Sequence, residues 1–356
     1  MNLIEETIRR IEPSADGRLA AEIQGHLDKL TKPRGSLGRL ERIALQYGLA
    51  RGTAELRLPR KALFVFCADH GVAEAGVSAY PREVTQQMVR NFVAGGAAIN
   101  VLCRQYDIDP FVVDMGVDAE LGDLKAVISR KVARGTRNFA NGPAMTRAEA
   151  EQALGHGIRL ARAASLMDYG LAGIGEMGIG NTTSAAAILA SFSGGDPDGV
   201  TGAGTGVDES RRRHKVDVIR RALELHKPDP LDPIGVLVEV GGFEIAGMAG
   251  FLLGAAAERL PVAVDGFIAS AAALVAVRLA PVCTDYLIFS HQSSEPGHAV
   301  MLELMGACPL LKLDLRLGEG SGAALAINLV DTSLRLYREM ATFDSARVSD
   351  RDETKA

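Results

Sequence analysis

From about residue 61 the chain alternates short apolar runs with longer stretches in which apolar side chains recur every three or four positions. Short buried strands joined by amphipathic helices produce that pattern, which predicts βαβ units and a parallel sheet with helices on both faces. Six runs have strand character: residues 62–68, 111–115, 170–174, 261–264, 286–289 and 311–315. The expected fold class is therefore α/β, a doubly wound, mainly parallel sheet in a Rossmann-like three-layer α/β/α arrangement.

Outside that region the pattern changes. Residues 1–60 and 331–356 set charged side chains among Leu, Ile and Ala without strand-like alternation, and are expected to form a small helical domain. Residues 61–330 then make the large α/β domain. Thr146 followed by Glu149 has capping-box spacing and predicts a helix running to about Leu166. The uncharged stretches 245–257 and 267–277 are shorter than the ~18 residues of a spanning helix and read as buried core helices. Their Ala and Gly content permits close approach of backbones. From Ser345 onward apolar periodicity is lost, which predicts a frayed tail.

Composition narrows the possible partners. With 47% hydrophobic and 23% charged residues in a chain of 356, a sizeable core is available, in two or three domains or one large domain with an appendage. The net charge of -5 gives no positive field for nucleic acid or an anionic membrane, so a small molecule is the expected partner. Cys67, Cys103, Cys283 and Cys308 are too widely spaced for a zinc site or disulfide framework. The N-terminus lacks the apolar segment of a signal peptide, and a cytoplasmic location is expected.

In open α/β sheets ligands bind beyond the carboxyl ends of the strands. The residues expected there are Asp69-His70-Gly71, Gly116-Val117-Asp118, Gly175-Glu176-Met177-Gly178, Asp265-Gly266, Ser290-His291-Gln292 and Gly318-Glu319-Gly320-Ser321. Residues 173–178 match G-x-G-x-x-G between an expected strand and an expected helix. Gly180, Asn181, Thr182 and Thr183 follow, so backbone N–H groups and hydroxyls should converge at a helix N-terminus, a natural phosphate site. The same residues would also serve a purely structural turn and cap. The acid required about twenty residues further on for a dinucleotide would be Asp196 or Asp198, both in loop-like sequence, which favours a mononucleotide.

A second glycine cluster, residues 201–206, precedes a basic run from Arg211 to Lys215. The arginines read as a solvated helix face, with Lys215 in reach of a phosphate. Glu319, flanked by glycines, is the most suggestive single acid. The histidines show no metal-ligand spacing, and no serine-hydrolase elbow accompanies them.

Seven segments, Leu30-Thr-Lys-Pro-Arg-Gly-Ser-Leu-Gly-Arg-Leu-Glu41, Ala68-Asp-His-Gly-Val72, Tyr80-Pro-Arg-Glu-Val-Thr-Gln86, Gly173-Ile-Gly-Glu-Met-Gly-Ile-Gly-Asn-Thr-Thr-Ser184, Thr201-Gly-Ala-Gly-Thr-Gly206, Ser290-His-Gln-Ser-Ser294 and Leu317-Gly-Glu-Gly-Ser-Gly322, carry a family resemblance. In this order they resemble the nicotinate-nucleotide:dimethylbenzimidazole phosphoribosyltransferases. The resemblance implies transfer of a phosphoribosyl group from nicotinate mononucleotide to dimethylbenzimidazole in cobalamin assembly, by a homodimer needing no metal or other cofactor. It implies Glu319 as general base, with Glu176 across the pocket. It further implies a nucleotide site of Gly175, Gly178, Gly180, Asn181, Thr182, Thr183, Gly204 and Lys215, with Asp265 nearby. Ser78, Tyr80, Gln86, Met177 and Leu317 would form the base pocket. The competing readings are an NAD(P)-dependent oxidoreductase using residues 173–178 and a non-catalytic nucleotide-binding protein. Two carboxylates beside an anionic ligand argue against the latter.

Overall fold

The computed structural model describes residues 2–204, 206 and 208–349. Thr205 of the second glycine cluster and residues 350–356 of the expected tail lie outside the described residues; Ser345 and Ala346 belong to a short helix, Phe343–Ala346.

The strands are β1 Lys61–Ala68, β2 Asp109–Gly116, β3 Val127–Ser129, β4 Leu171–Met177, β5 Val262–Val264 and β6 Leu287–Phe289. They form one parallel sheet in the order β3-β2-β1-β4-β5-β6, so the chain reverses its direction of winding between β1 and β4. The helices before the second strand are α1 Leu3–Arg9, α2 Gly17–Lys29, α3 Arg39–Arg51, α4 Glu83–Ala94 and α5 Ala98–Tyr106. Those that follow are α6 Arg147–Leu166, α7 Asn181–Ser193, α8 Glu209–His226, α9 Pro233–Val240, α10 Phe243–Ala257, α11 Phe267–Leu279, α12 Pro296–Leu304 and α13 Ser321–Glu339.

β1 is apolar on both faces because both are covered. Ala62, Phe64, Phe66 and Ala68 face a core shared with α1, α6, α7, α10 and α11. Leu63, Val65 and Cys67 face a second core built with α2, α3, α5 and α13. α3 packs against α2 and α13, and Leu30 bridges to Thr342, whereas α1 lies on α6 and α10 in the other layer. α13 runs through residue 330 without a break. α6 begins at the expected cap: the Thr146 side chain accepts the Glu149 N–H and the Glu149 carboxylate accepts the Thr146 N–H. None of the described helices is long and apolar enough to cross a membrane.

Three sequence expectations change. Residues 311–315 are not a strand: Leu311 makes an isolated bridge to His291, Leu313 is 51% exposed, and Asp314 has a left-handed φ of 53° that breaks the extension. The sixth strand is β3 at the opposite edge, three residues long and only half-buried, too short for hydrophobic patterning to reveal. Finally, β4 continues past residue 174 to Met177, so most of the G-x-G-x-x-G string lies in a strand and not in a turn.

The glycines of the α6–α10 contact show how tightly the helices meet. A Cβ on Gly157 would overlap the carbonyl of Gly247, and one on Gly250 would overlap that of Leu154. Backbone on both sides leaves nothing flexible to yield, so Gly157→Val should destabilise the fold by about 3 kcal/mol. A denaturant midpoint unchanged from the parent would contradict this packing.

Candidate active site

The strand order creates a crevice at the carboxyl ends of β1 and β4. His70, just beyond β1, fills its floor. The ring lies against Gly178, Cβ lies against Gly180, and Nε2 meets the Glu244 carboxylate at 2.6 Å, both side chains fully buried. This is the position of a hydrogen-bonded, structural histidine. The open cavity lies to one side, beyond β4, β5 and β6. It is lined by Glu176 to Ile179, Asn181, Thr182, Gly204, Asp265 to Ile268, His291, Ser293, Glu295 and Arg316 to Gly318.

One end of this cavity is suited to an anion. Gly180, with φ of 99°, turns the chain into α7. The Asn181 and Thr183 N–H groups bond to Gly178 and Gly180 carbonyls, while the Thr182 N–H has no partner among the described residues. Lys215 is 1% exposed, not on a solvated face, and its Nζ donates to Thr182 Oγ1 at 2.8 Å. Burial lowers its pKa to about 8, so the ammonium is short of charged partners and ready for an anion. Gly204, in the left-handed region, lies over both: a Cβ there would be 2.8 Å from Thr182 Oγ1 and 3.3 Å from Lys215 Nζ. Arg211 and Arg213 are on the solvated face, as expected of the basic run.

The acids are joined by one backbone contact. Gly175 lies so close to Gly320 that any Cβ would collide with its amide, and the Glu319 N–H donates to the Glu176 carbonyl at 3.2 Å. Gly318, Glu319 and Gly320 all have positive φ, and for Glu319, at 61°, that conformation costs about 1–2 kcal/mol. Asp265 offsets it. Its Oδ1 accepts from the Gly322 and Ala323 N–H groups and its Oδ2 from Gly320, holding the turn and capping α13. Its expected neighbourhood with the nucleotide pocket is thus combined with a backbone role that sequence alone did not indicate.

Glu176 Oε2 accepts from the Asn181 amide, and Glu319 Oε2 accepts from the Ile99 N–H at the start of α5. Burial pushes the Glu176 pKa well above the carboxylate range, with Asp265 and Glu244 adding to it. Burial also raises Glu319, opposed by the Ile99 N–H. Asp265 is pushed up to about 7 by burial against its backbone donors. His291 and His298 are pushed down, to about 4 and about 3, and are neutral rings near neutrality.

The cavity gathers Glu176, Met177, Gly178, Asn181, Thr182, Gly204, Asp265 and Leu317 from the expected residues. Glu319 adjoins it through Gly318 without lining it, Lys215 reaches it through Thr182, and Gly175, Gly180 and Thr183 are buried next to lining residues without lining it themselves. Ser78, Tyr80 and Gln86 do not line it. Ser78 accepts the Tyr80 N–H, Tyr80 is 53% exposed, and Gln86 follows Thr85, whose hydroxyl accepts the Ile179 N–H at 3.1 Å. Glu295 and Arg316 were missed, although the 290–294 segment and Glu319 pointed to their immediate surroundings.

Residues 12–348 match the phosphoribosyltransferase family model DBI_PRT. The chain belongs to that phosphoribosyltransferase family. A nicotinate-nucleotide–dimethylbenzimidazole phosphoribosyltransferase of Geobacter sulfurreducens is 54% identical over 99% of this chain and 100% of its own. One from Geobacter metallireducens is 53% identical over 98% of each. The crystal structure of CobT from Thermus thermophilus superposes with a TM-score of 0.90 at 46% identity, covering 94% of this chain and all of that one.

In this phosphoribosyltransferase the Gly175–Gly320 contact sets where Glu319 stands. Gly175→Ala should shift the 318–320 turn and lower turnover roughly a hundredfold, in line with the cost of a misplacement of about 1 Å. Nucleotide binding should change far less. Equal losses in both would contradict the separation of the two ends.

Proposed function

We propose that the chain transfers the phosphoribosyl group of nicotinate mononucleotide to dimethylbenzimidazole, giving α-ribazole phosphate and nicotinate in assembly of the cobalamin nucleotide loop. The observation that carries this reading is the juxtaposition of two buried acids, Glu319 and Glu176, with the anion-binding end formed by Thr182, Gly204 and Lys215. The names of the Geobacter relatives support it.

In nicotinate mononucleotide the sugar carbon is bonded to a cationic pyridinium nitrogen. Breaking that bond releases a neutral ring, so no charge builds on the leaving group for a metal to offset. The free imidazole nitrogen of dimethylbenzimidazole attacks the opposite face of the sugar and inverts its configuration. The product ring then carries a proton on its other nitrogen. Glu319 accepts that proton, its basicity raised by burial. Glu176, whose proton affinity is raised by burial and by neighbouring acids, stands across the pocket from it. Lys215, Thr182 and Gly204, with the helix start from Gly180 to Thr183, hold the phosphate; Met177 and Leu317, which line the same cavity, receive the base. A cytoplasmic homodimer completes the reading, and the four cysteines, all free thiols, suit a reducing compartment.

The direct test is incubation of the two substrates with purified protein, with chromatography and mass measurement of α-ribazole phosphate; no product, with nucleotide still bound, would sink the assignment. Glu319→Gln should lose about 10²–10⁴-fold in turnover with the fold intact. The parent kcat/KM should fall on the acid side as Glu319 gains a proton, above the usual value of 4.5 because burial raises its pKa. That limb should be absent from the variant. Lys215→Ala should raise the KM for nicotinate mononucleotide about 10–100-fold, through loss of a charged hydrogen bond, with kcat little changed. An unchanged KM would remove Lys215 from the phosphate site.

A further inference from the structure

The segment that covers the phosphate end is fastened by an acid to which the reaction assigns no role. Glu295, at the start of α12, is 7% exposed. Its Oε1 accepts the Gly204 N–H at 2.9 Å, and its Oε2 is buried with no hydrogen-bond partner among the described residues. A Cβ on Gly202 would overlap that second oxygen, and one on Gly297 would overlap the Val200 carbonyl, so residues 200–204 lie directly on the first turn of α12. The result is a buried carboxylate and a buried ammonium, Lys215, both close to Gly204, the carboxylate bonded to its N–H and the ammonium 3.3 Å from where its Cβ would stand.

We propose that Glu295 is a positioning residue for the nucleotide phosphate, holding the Gly202–Gly204 backbone over the anion site and keeping the buried Lys215 ammonium protonated until the phosphate arrives. The inference rests on Lys215 binding phosphate. A phosphate alone cannot maintain an empty, dry lysine in its charged form, because burial disfavours the charge before any ligand is present. Glu295 opposes that burial. Among the described residues, Thr182 from α7 and the Gly204 backbone stand beside the ammonium. On its own helix, Arg212 is engaged with Asp198 and Glu209 and His214 with the Ala75 carbonyl. Glu176, Asp265, His291 and Arg316 line the same cavity.

The test is calorimetric binding of nicotinate mononucleotide, without acceptor base, between about pH 6 and about pH 9. The second ionisation of a phosphate ester has its midpoint near pH 6 and is nearly complete by about pH 7, so loss of affinity on the alkaline side reports the protein. The parent should weaken above about pH 8, where Lys215 loses its proton. Glu295→Gln keeps an oxygen for the Gly204 N–H but removes the charge, and should move that loss down by about one pH unit. It should bind several-fold more weakly than the parent near pH 8 and equally near pH 6. Lys215→Arg, whose charge does not titrate in this range, should flatten the dependence with or without Glu295. A Glu295→Gln profile identical to the parent's would overturn the inference while leaving the proposed reaction standing. A parent protein that binds no nucleotide at any pH would overturn both.

Discussion

Everything at this site depends on one close approach, the backbone of Gly175 against Gly320. Strand β4 delivers Glu176 at its carboxyl end, and the turn before α13 delivers Glu319; only where neither chain carries a Cβ can the two segments touch. The Glu319 N–H on the Glu176 carbonyl then fixes their register. The left-handed backbone of Glu319 is maintained by Asp265, whose two oxygens collect three N–H groups from the same turn. A strained acid held by a buried acid is costly, and the fold invests in it at the place where the proposed reaction needs a fixed base.

Charge in the cavity is arranged along its length. Buried acids cluster at the ends of β4 and β5, where burial raises the proton affinity of Glu176 and Asp265 and the neighbouring acids add to it at Glu176. A buried lysine occupies the other end, beside a helix start whose Thr182 N–H has no partner among the described residues. Nicotinate mononucleotide carries the matching pattern, an anionic phosphate separated by a ribose from a cationic ring. A dinucleotide would call for an open crevice at the β1–β4 reversal, and there His70 and Glu244 fill the space.

Much of this was legible in the sequence for a definite reason. Strand ends in a parallel sheet carry the chemistry, and five of the six expected runs are strands, so the residues following them fell near the cavity. Glu176, Glu319 and the 180–183 segment could be read directly. Residues 311–315 misled because alternating leucines mimic a half-buried strand, yet Asp314 turns the chain and the leucines stay partly in water. β3 is too short to show periodicity. The purpose of the glycines was misread for a related reason: Gly173 and Gly175 match a phosphate fingerprint, but they serve contacts with α13 and its leading turn, across about 145 residues of sequence. Glu295 and the capping by Asp265 are equally non-local, and no spacing rule marks either.

The central claim is that phosphate and base occupy opposite ends of one cavity, with Glu319 at the reacting carbon. A crystal structure with nicotinate mononucleotide bound to Glu319→Gln tests it most directly. The account predicts the phosphate on the Thr182 N–H, Gly204 and Lys215 Nζ, with the anomeric carbon of the sugar turned toward residue 319. A phosphate seated elsewhere, or a sugar turned away from residue 319, would contradict it.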